Sequence, residues 1–113
     1  MRDDLVYIRH ALDAAEKIHS FTKGKTREVL DTDETLALAL VRLLEIIGEA
    51  ANCISREFSE RNQDIPWNKM IGMRNRLIHG YFDINYDIVW DTVTNDIPGL
   101  INLLRKSLSG TKG

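Results

Sequence analysis

Apolar residues recur at three- and four-residue steps along most of this chain, and no stretch alternates apolar with polar residues long enough to build a strand. Leu5, Ile8, Leu12, Ala15 and Ile18 form one stripe, which predicts a first helix from about Asp4 to Phe21. Thr22-Lys23-Gly24-Lys25-Thr26 then reads as a polar loop. A second helix is predicted from a cap at Asp31 or Thr32, with Glu34 completing a capping box with Asp31, through to about Glu60. Its stripe is Leu36, Leu40, Leu43, Ile47, Ala50, Ile54 and Phe58. Leu44, Ile46 and Ala51 widen that stripe, so this helix should touch more than one neighbour. Pro66 suits the first turn of a third helix, carrying Trp67, Met70, Ile71, Met73, Leu77 and Ile78, which Gly80 can end. Asp83 or Asn85 can cap the next helix, and Pro98-Gly99 should kink or break it before a last segment, Leu100 to Leu108. The expected fold is all-α, an antiparallel bundle of four to five helices. One domain would span 1–108, with a frayed tail over 109–113.

Composition narrows the function classes. At 113 residues, with 43% hydrophobic and 28% charged, the chain has the size and make-up of one ordinary globular domain. Cys53 is the single cysteine, so no intrachain disulfide can form. It lies in an apolar helical run and reads as a buried small hydrophobe. No Cys/His cluster has metal-ligand spacing, and neither a metal nor a cofactor is expected. The charged start, Met1-Arg2-Asp3-Asp4, lacks the apolar core of a signal peptide. The apolar run Leu36 to Val41 is too short to span a bilayer, so a cytoplasmic location is expected by elimination. A net charge of -2 does not advertise nucleic-acid binding. Any RNA contact must come from a local basic site or from a partner.

Residues 74–81, Arg74-Asn75-Arg76-Leu77-Ile78-His79-Gly80-Tyr81, concentrate the candidate chemistry. An arginine fork matches a phosphate, and histidine suits proton transfer near neutral pH. A base for the 2′-hydroxyl of RNA and a cation on the adjacent phosphate suffice for transesterification without a metal. Arg74 and His79 lie about 140° apart around an ideal helix. Either the helix unwinds near Gly80, or two copies of the chain complete one site. The structural alternative is that Arg and His merely cap a helix C-terminus while Tyr81 anchors a turn.

The order Arg74, four residues, His79, one residue, Tyr81, with Asn75 after the arginine, resembles the signature of the HepT toxins within the HEPN superfamily. The opening Met1 to Ile8, the run Ile46-Ile47-Gly48-Glu49-Ala50-Ala51, and Ile65-Pro66-Trp67 before Met70-Ile71-Gly72-Met73 are similar to the same family, so the likeness covers about residues 2–108. The resemblance implies a HEPN-like bundle that forms a symmetric homodimer with motif residues from both chains in a cleft. It also implies metal-independent endoribonuclease activity acting as a toxin. Its implied partner is a minimal nucleotidyltransferase antitoxin that transfers AMP to the motif tyrosine. Carried over, Arg74 and His79 are catalytic, Asn75 supports them, and Tyr81 is modified. Arg76 is a further candidate for RNA contact.

Two other readings remain. The chain could be a non-catalytic subunit that binds nucleotide or substrate for a nucleotidyltransferase, or a purely structural helical dimer. Lys23, Lys25 and Arg27 could touch RNA but read more simply as a solvated loop. Glu45 and Glu49 share a helix face, and ion pairing with Arg42 or Arg74 is expected before metal binding. Trp67 and Trp90 are expected in the core or at a dimer contact.

Overall fold

The computed structural model describes residues 3–79 and 84–110, and every element among them is helical. α1 spans Asp4–Thr22, α2 Val29–Thr32, α3 Glu34–Asn52, α4 Arg56–Arg61, α5 Trp67–His79, α6 Tyr86–Asp91 and α7 Ile97–Gly110. A π-helical turn, Thr92–Asp96, joins α6 to α7 as one rod. α1, α3, α5 and the α6–α7 rod are the four long members of the bundle. α3 packs against both α1 and α5, and α1 also packs on α7. The two-neighbour role expected of the second helix is therefore met. No helix among the described residues is long and apolar enough to cross a membrane.

Local chemistry sets the boundaries. α1 starts on Asp3, whose carboxylate accepts from the Leu5 N–H at 3.1 Å. Its buried face is Ile8, Ala11, Ala14, Ala15 and Ile18, and the small side chains allow close approach. α3 is capped by Asp33, not by Asp31 or Thr32: the Asp33 carboxylate accepts from Leu36 N–H at 3.0 Å. Asp31 instead belongs to the short α2. Pro66 lies just before α5, and its carbonyl accepts the bond from Met70 N–H at 3.0 Å. Asn85 caps α6, accepting from the N–H groups of Asp87 and Ile88. Gly80 and Asp83, the other two boundary residues expected here, lie outside the described residues.

Two predicted boundaries are corrected. The helix expected to continue to Glu60 stops at Asn52 and restarts as α4. Asp4 causes the break, because its carboxylate accepts from both the N–H (2.8 Å) and the hydroxyl (2.7 Å) of Ser55. Ser55 is held extended there and caps α4 through Phe58 N–H. The apolar phase survives the bend, since Phe58 is still only 2% exposed. Cys53 is consequently the half-buried C-cap of α3 and not an interior residue.

The second correction concerns Pro98, which does not end its helix: α7 runs through it to Gly110. Proline lacks an N–H and crowds the carbonyl four residues back. The wider turn ahead of it, closed by Ile97 N–H bonding to Thr92 carbonyl, absorbs both demands.

α5 carries residues 74–79 of the candidate segment, and its two flanks differ. Toward α3 the approach is close enough that only glycine fits. A Cβ built on Gly48 would lie 2.1 Å from the Cβ of Arg74 and 2.7 Å from the Met70 carbonyl oxygen. Toward the C-terminal rod, Leu44, Ile47, Met70, Met73, Ile97 and Leu100 line an apolar gap. Lys69 and Asp96 close its rim at 3.3 Å. Trp67 anchors the start of α5, edge-on to Phe58 at 6.2 Å, with its indole N–H donating to Asn62 carbonyl. Trp90 is half-buried against the core.

Gly48→Ala should therefore destabilise the protein by about 1–3 kcal/mol through overpacking. Gly72→Ala on α5, where nothing lies within 4 Å of the added methyl, should instead gain about 0.5–1 kcal/mol. Thermal midpoints of the two variants check this, and equal midpoints would show that Gly48 is not a packing requirement.

Candidate active site

The site is built on α5. Leu77 turns inward and is buried, which leaves Asn75, Arg76 and Ile78 exposed on the surrounding surface. Arg74 lies between these limits, with its stem pressed on Gly48 of α3. A side chain in place of that hydrogen would push the arginine off the helix pair. Gly48 is the residue that sequence reasoning missed. Its signal was available: a glycine inside a strongly apolar helix costs about 1 kcal/mol against alanine and so marks a close approach.

The guanidinium of Arg74 is held by two side chains from two helices. Nη2 lies 2.6 Å from Oε2 of Glu49, the residue after the seat. Nη1 donates to Oδ1 of Asn75 at 2.9 Å. Nε is buried and has no hydrogen-bond partner among the described residues. The Arg74 side chain is 25% exposed and that of Glu49 57%. A buried guanidine N–H without an acceptor is costly to the fold alone, and such groups call for an explanation in function.

The expected pairing of the two α3 carboxylates is found for both. Glu45 pairs with Arg42 at 3.4 Å, and Glu49 with Arg74. Among the described residues no group of three or more His, Cys, Asp and Glu side chains is arranged to hold a metal ion. Arg27 in the expected basic loop is engaged by Asp87 of α6 at 2.7 Å and by Asp31 at 3.1 Å. Hydrogen bonds from Asp87 and then Asp31 raise its pKa above the ordinary guanidinium value. It braces α2 against the start of α6.

The other sequence-predicted residues are placed as follows. Asn75 is brought to Arg74. α5 stays helical as far as His79, its last residue, so the unwinding considered from sequence does not occur before that point. The Cα positions of Arg74 and His79 are thus about 140° apart around the axis. Arg76 faces the opposite way from Arg74, beside Met73, Leu77, Ile84, Asn85 and Ile88 at the α5–α6 junction. The structure does not bring the two arginines together. Tyr81 lies outside the described residues.

Comparison with known proteins identifies the family. The family described as ribonuclease HepT-like matches residues 11–107. "Putative RNase TTE0752" of Caldanaerobacter subterraneus subsp. tengcongensis is 38% identical over 112 residues, covering 99% of this chain and 100% of the relative. "Probable ribonuclease HepT" of Thermococcus cleftensis is 39% identical over 94 residues, covering 83% and 86%. "Putative RNase MJ1380" of Methanocaldococcus jannaschii is 37% identical over 97 residues, covering 86% and 89%. No solved structure matches. The match runs through α3 and α5, the two helices that hold Arg74, and the chain belongs to the HepT-like ribonuclease family.

Proposed function

We propose that this chain is a metal-independent endoribonuclease and the toxin of a two-component pair, with Arg74 and His79 catalytic and Asn75 supporting Arg74. The observation that carries the reading is the treatment of Arg74. Its stem is fixed by a glycine seat, its guanidinium is held by Asn75 and Glu49, and a quarter of the side chain still faces solvent. An arginine serving only as a helix cap needs none of this. Family membership supports RNA as the substrate.

In the proposed reaction His79 takes the proton from a 2′-hydroxyl, and O2′ attacks the adjacent phosphorus as the bond to O5′ breaks. The leaving oxygen takes up a proton, and the products are a cyclic phosphate and a 5′-hydroxyl end. Arg74 binds the phosphate and offsets the charge that develops on it. His79 is the last residue of α5. Arg76 supplies a second cation, for RNA beyond the scissile phosphate.

Arg74→Ala and His79→Ala should each abolish RNA cleavage and toxicity. Both should keep the helical circular dichroism and a midpoint within a few degrees, since a half-exposed ion pair contributes only about 0–1 kcal/mol. A fully active variant would remove that residue from the mechanism.

The separation of Arg74 and His79 around α5 supports a homodimer in which two copies complete the cleft. A two-fold axis brings like patches together. Sedimentation at high micromolar concentration should show a dimer, and a monomer there would count against a shared cleft.

Control is proposed to act through Tyr81, modified by a minimal nucleotidyltransferase antitoxin. The phenol is neutral at physiological pH, so a base in the partner must remove its proton. The phenolate oxygen then attacks the α-phosphorus of ATP, and pyrophosphate leaves. The attached phosphate can pair with nearby arginine and occupy the place of the RNA backbone. Co-expression should add whole adenylyl units to the intact mass, and Tyr81→Phe should stay toxic and escape rescue. An adduct on Tyr7 or Tyr86 instead would remove Tyr81 from the control mechanism.

The second reading, a non-catalytic subunit binding nucleotide for the partner, is favoured by the net charge of -2 and by the carboxylate beside Arg74. RNA cleavage by purified protein in excess chelator separates the two.

A further inference from the structure

We infer that Glu49 is a positioning residue for Arg74: it sets the orientation of the guanidinium and holds back RNA binding in the resting site. The inference rests on the catalytic reading of Arg74 and goes beyond it, because Glu49 lies on another helix and outside the Arg74–Tyr81 segment.

The argument follows the side chain outward. At its root, Gly48 fixes where the Arg74 stem leaves α5. Halfway along, Nε is enclosed without a protein acceptor among the described residues, so nothing there locks the plane of the fork. Among the described residues, only the two terminal nitrogens have partners. Asn75 adjoins Arg74 on the same helix and accepts from Nη1. Glu49 is the contact from across the helix pair, 2.6 Å from Nη2. Removing it leaves the guanidinium held from one side only.

Stability does not explain the carboxylate. Glu49 is 57% exposed, and an ion pair of that kind contributes about 0–1 kcal/mol. Glu45, one turn earlier on α3, pairs instead with Arg42 of its own helix at 3.4 Å, with side-chain exposures of 22% for the carboxylate and 71% for the arginine. The same residue type on the same helix thus makes one pair within α3 and one pair that reaches across to Arg74 on α5.

The charge of Glu49 has a consequence separate from its shape. In the resting protein it offsets the positive charge that Arg74 presents to phosphate. An arriving RNA phosphate meets an oriented fork and a neighbouring carboxylate at once. Orientation favours the transition state, whereas repulsion weakens binding of the ground state, and the two effects fall on different kinetic constants. Glutamine keeps the oxygen acceptor and removes the charge, while alanine removes both.

The test measures RNA cleavage in chelator for Glu49→Ala, Glu49→Gln and the control Glu45→Ala. Glu49→Ala should lose roughly ten- to a hundredfold in kcat, the scale of a misplaced catalytic group, while KM falls. Glu49→Gln should recover most of kcat and keep the lowered KM. Glu45→Ala should match the wild type, and all three should keep the wild-type midpoint. A merely structural role would lower the active fraction without lowering KM and would not be rescued by glutamine. In parallel, ¹⁵N spectra of the arginine side chains should show separate Nη signals for Arg74 in the wild type, merged in Glu49→Ala. Wild-type kcat and KM in Glu49→Ala, or a glutamine variant no better than alanine, would overturn the inference. If the wild type leaves RNA intact, the ribonuclease reading fails, and the Nη signals alone decide: unchanged dispersion in Glu49→Ala would overturn the positioning role.

Discussion

Everything at the site depends on the distance between α3 and α5 at Gly48. Two helices can approach this closely only where one offers no side chain, and here the other offers the stem of an arginine. The contact puts a permanently charged group at a helix–helix seam, where its root is shielded and its head is not. A guanidinium cannot shed its charge, so the surrounding structure must satisfy it or leave it for a ligand. Asn75 and Glu49 do the first in part, and what they leave undone is what makes the residue chemically interesting.

The frame around the seam is set by economical devices. Single side chains (Asp3, Asp33, Ser55 and Asn85) start α1, α3, α4 and α6. The Asp4 carboxylate reaches Ser55, tying the first turn of α1 to the corner between α3 and α4. Arg27 ties α2 to α6 in the same way. These contacts span long stretches of sequence with one or two hydrogen bonds each, and they fix the ends of helices whose middles are held by apolar burial.

Much of this was legible in the sequence, and the exceptions have physical causes. The apolar stripes located the long helices because period 3.6 is written into every buried face. They could not show the break after Asn52, because Phe58 keeps the same phase on the far side of the bend. Asp31 and Thr32 both suit a cap, and Glu34 completes a capping box with Asp31, but the short α2 uses that stretch and moves the start of α3 to Asp33. Pro98 was read by its usual effect on an α-helix, and a π-helical turn is not visible in apolar periodicity. Around Arg74, the pairing of Glu49 was legible from its place on α3. Gly48 was quoted within a run of letters without a role, since a close approach belongs to two segments and one segment alone does not reveal it.

The apolar gap on the other flank of α5 gives the helix two unlike neighbours. On the α3 side a change of one methyl group is felt at once at Arg74. On the rod side, Met70 and Met73 face open space, and unbranched thioether side chains adapt readily to altered surroundings. Substitutions in the C-terminal rod can therefore be met in part by changes of methionine rotamer. The root of the Arg74 side chain is thus referenced to α3, whereas the rod side of α5 rests on side chains that can change rotamer.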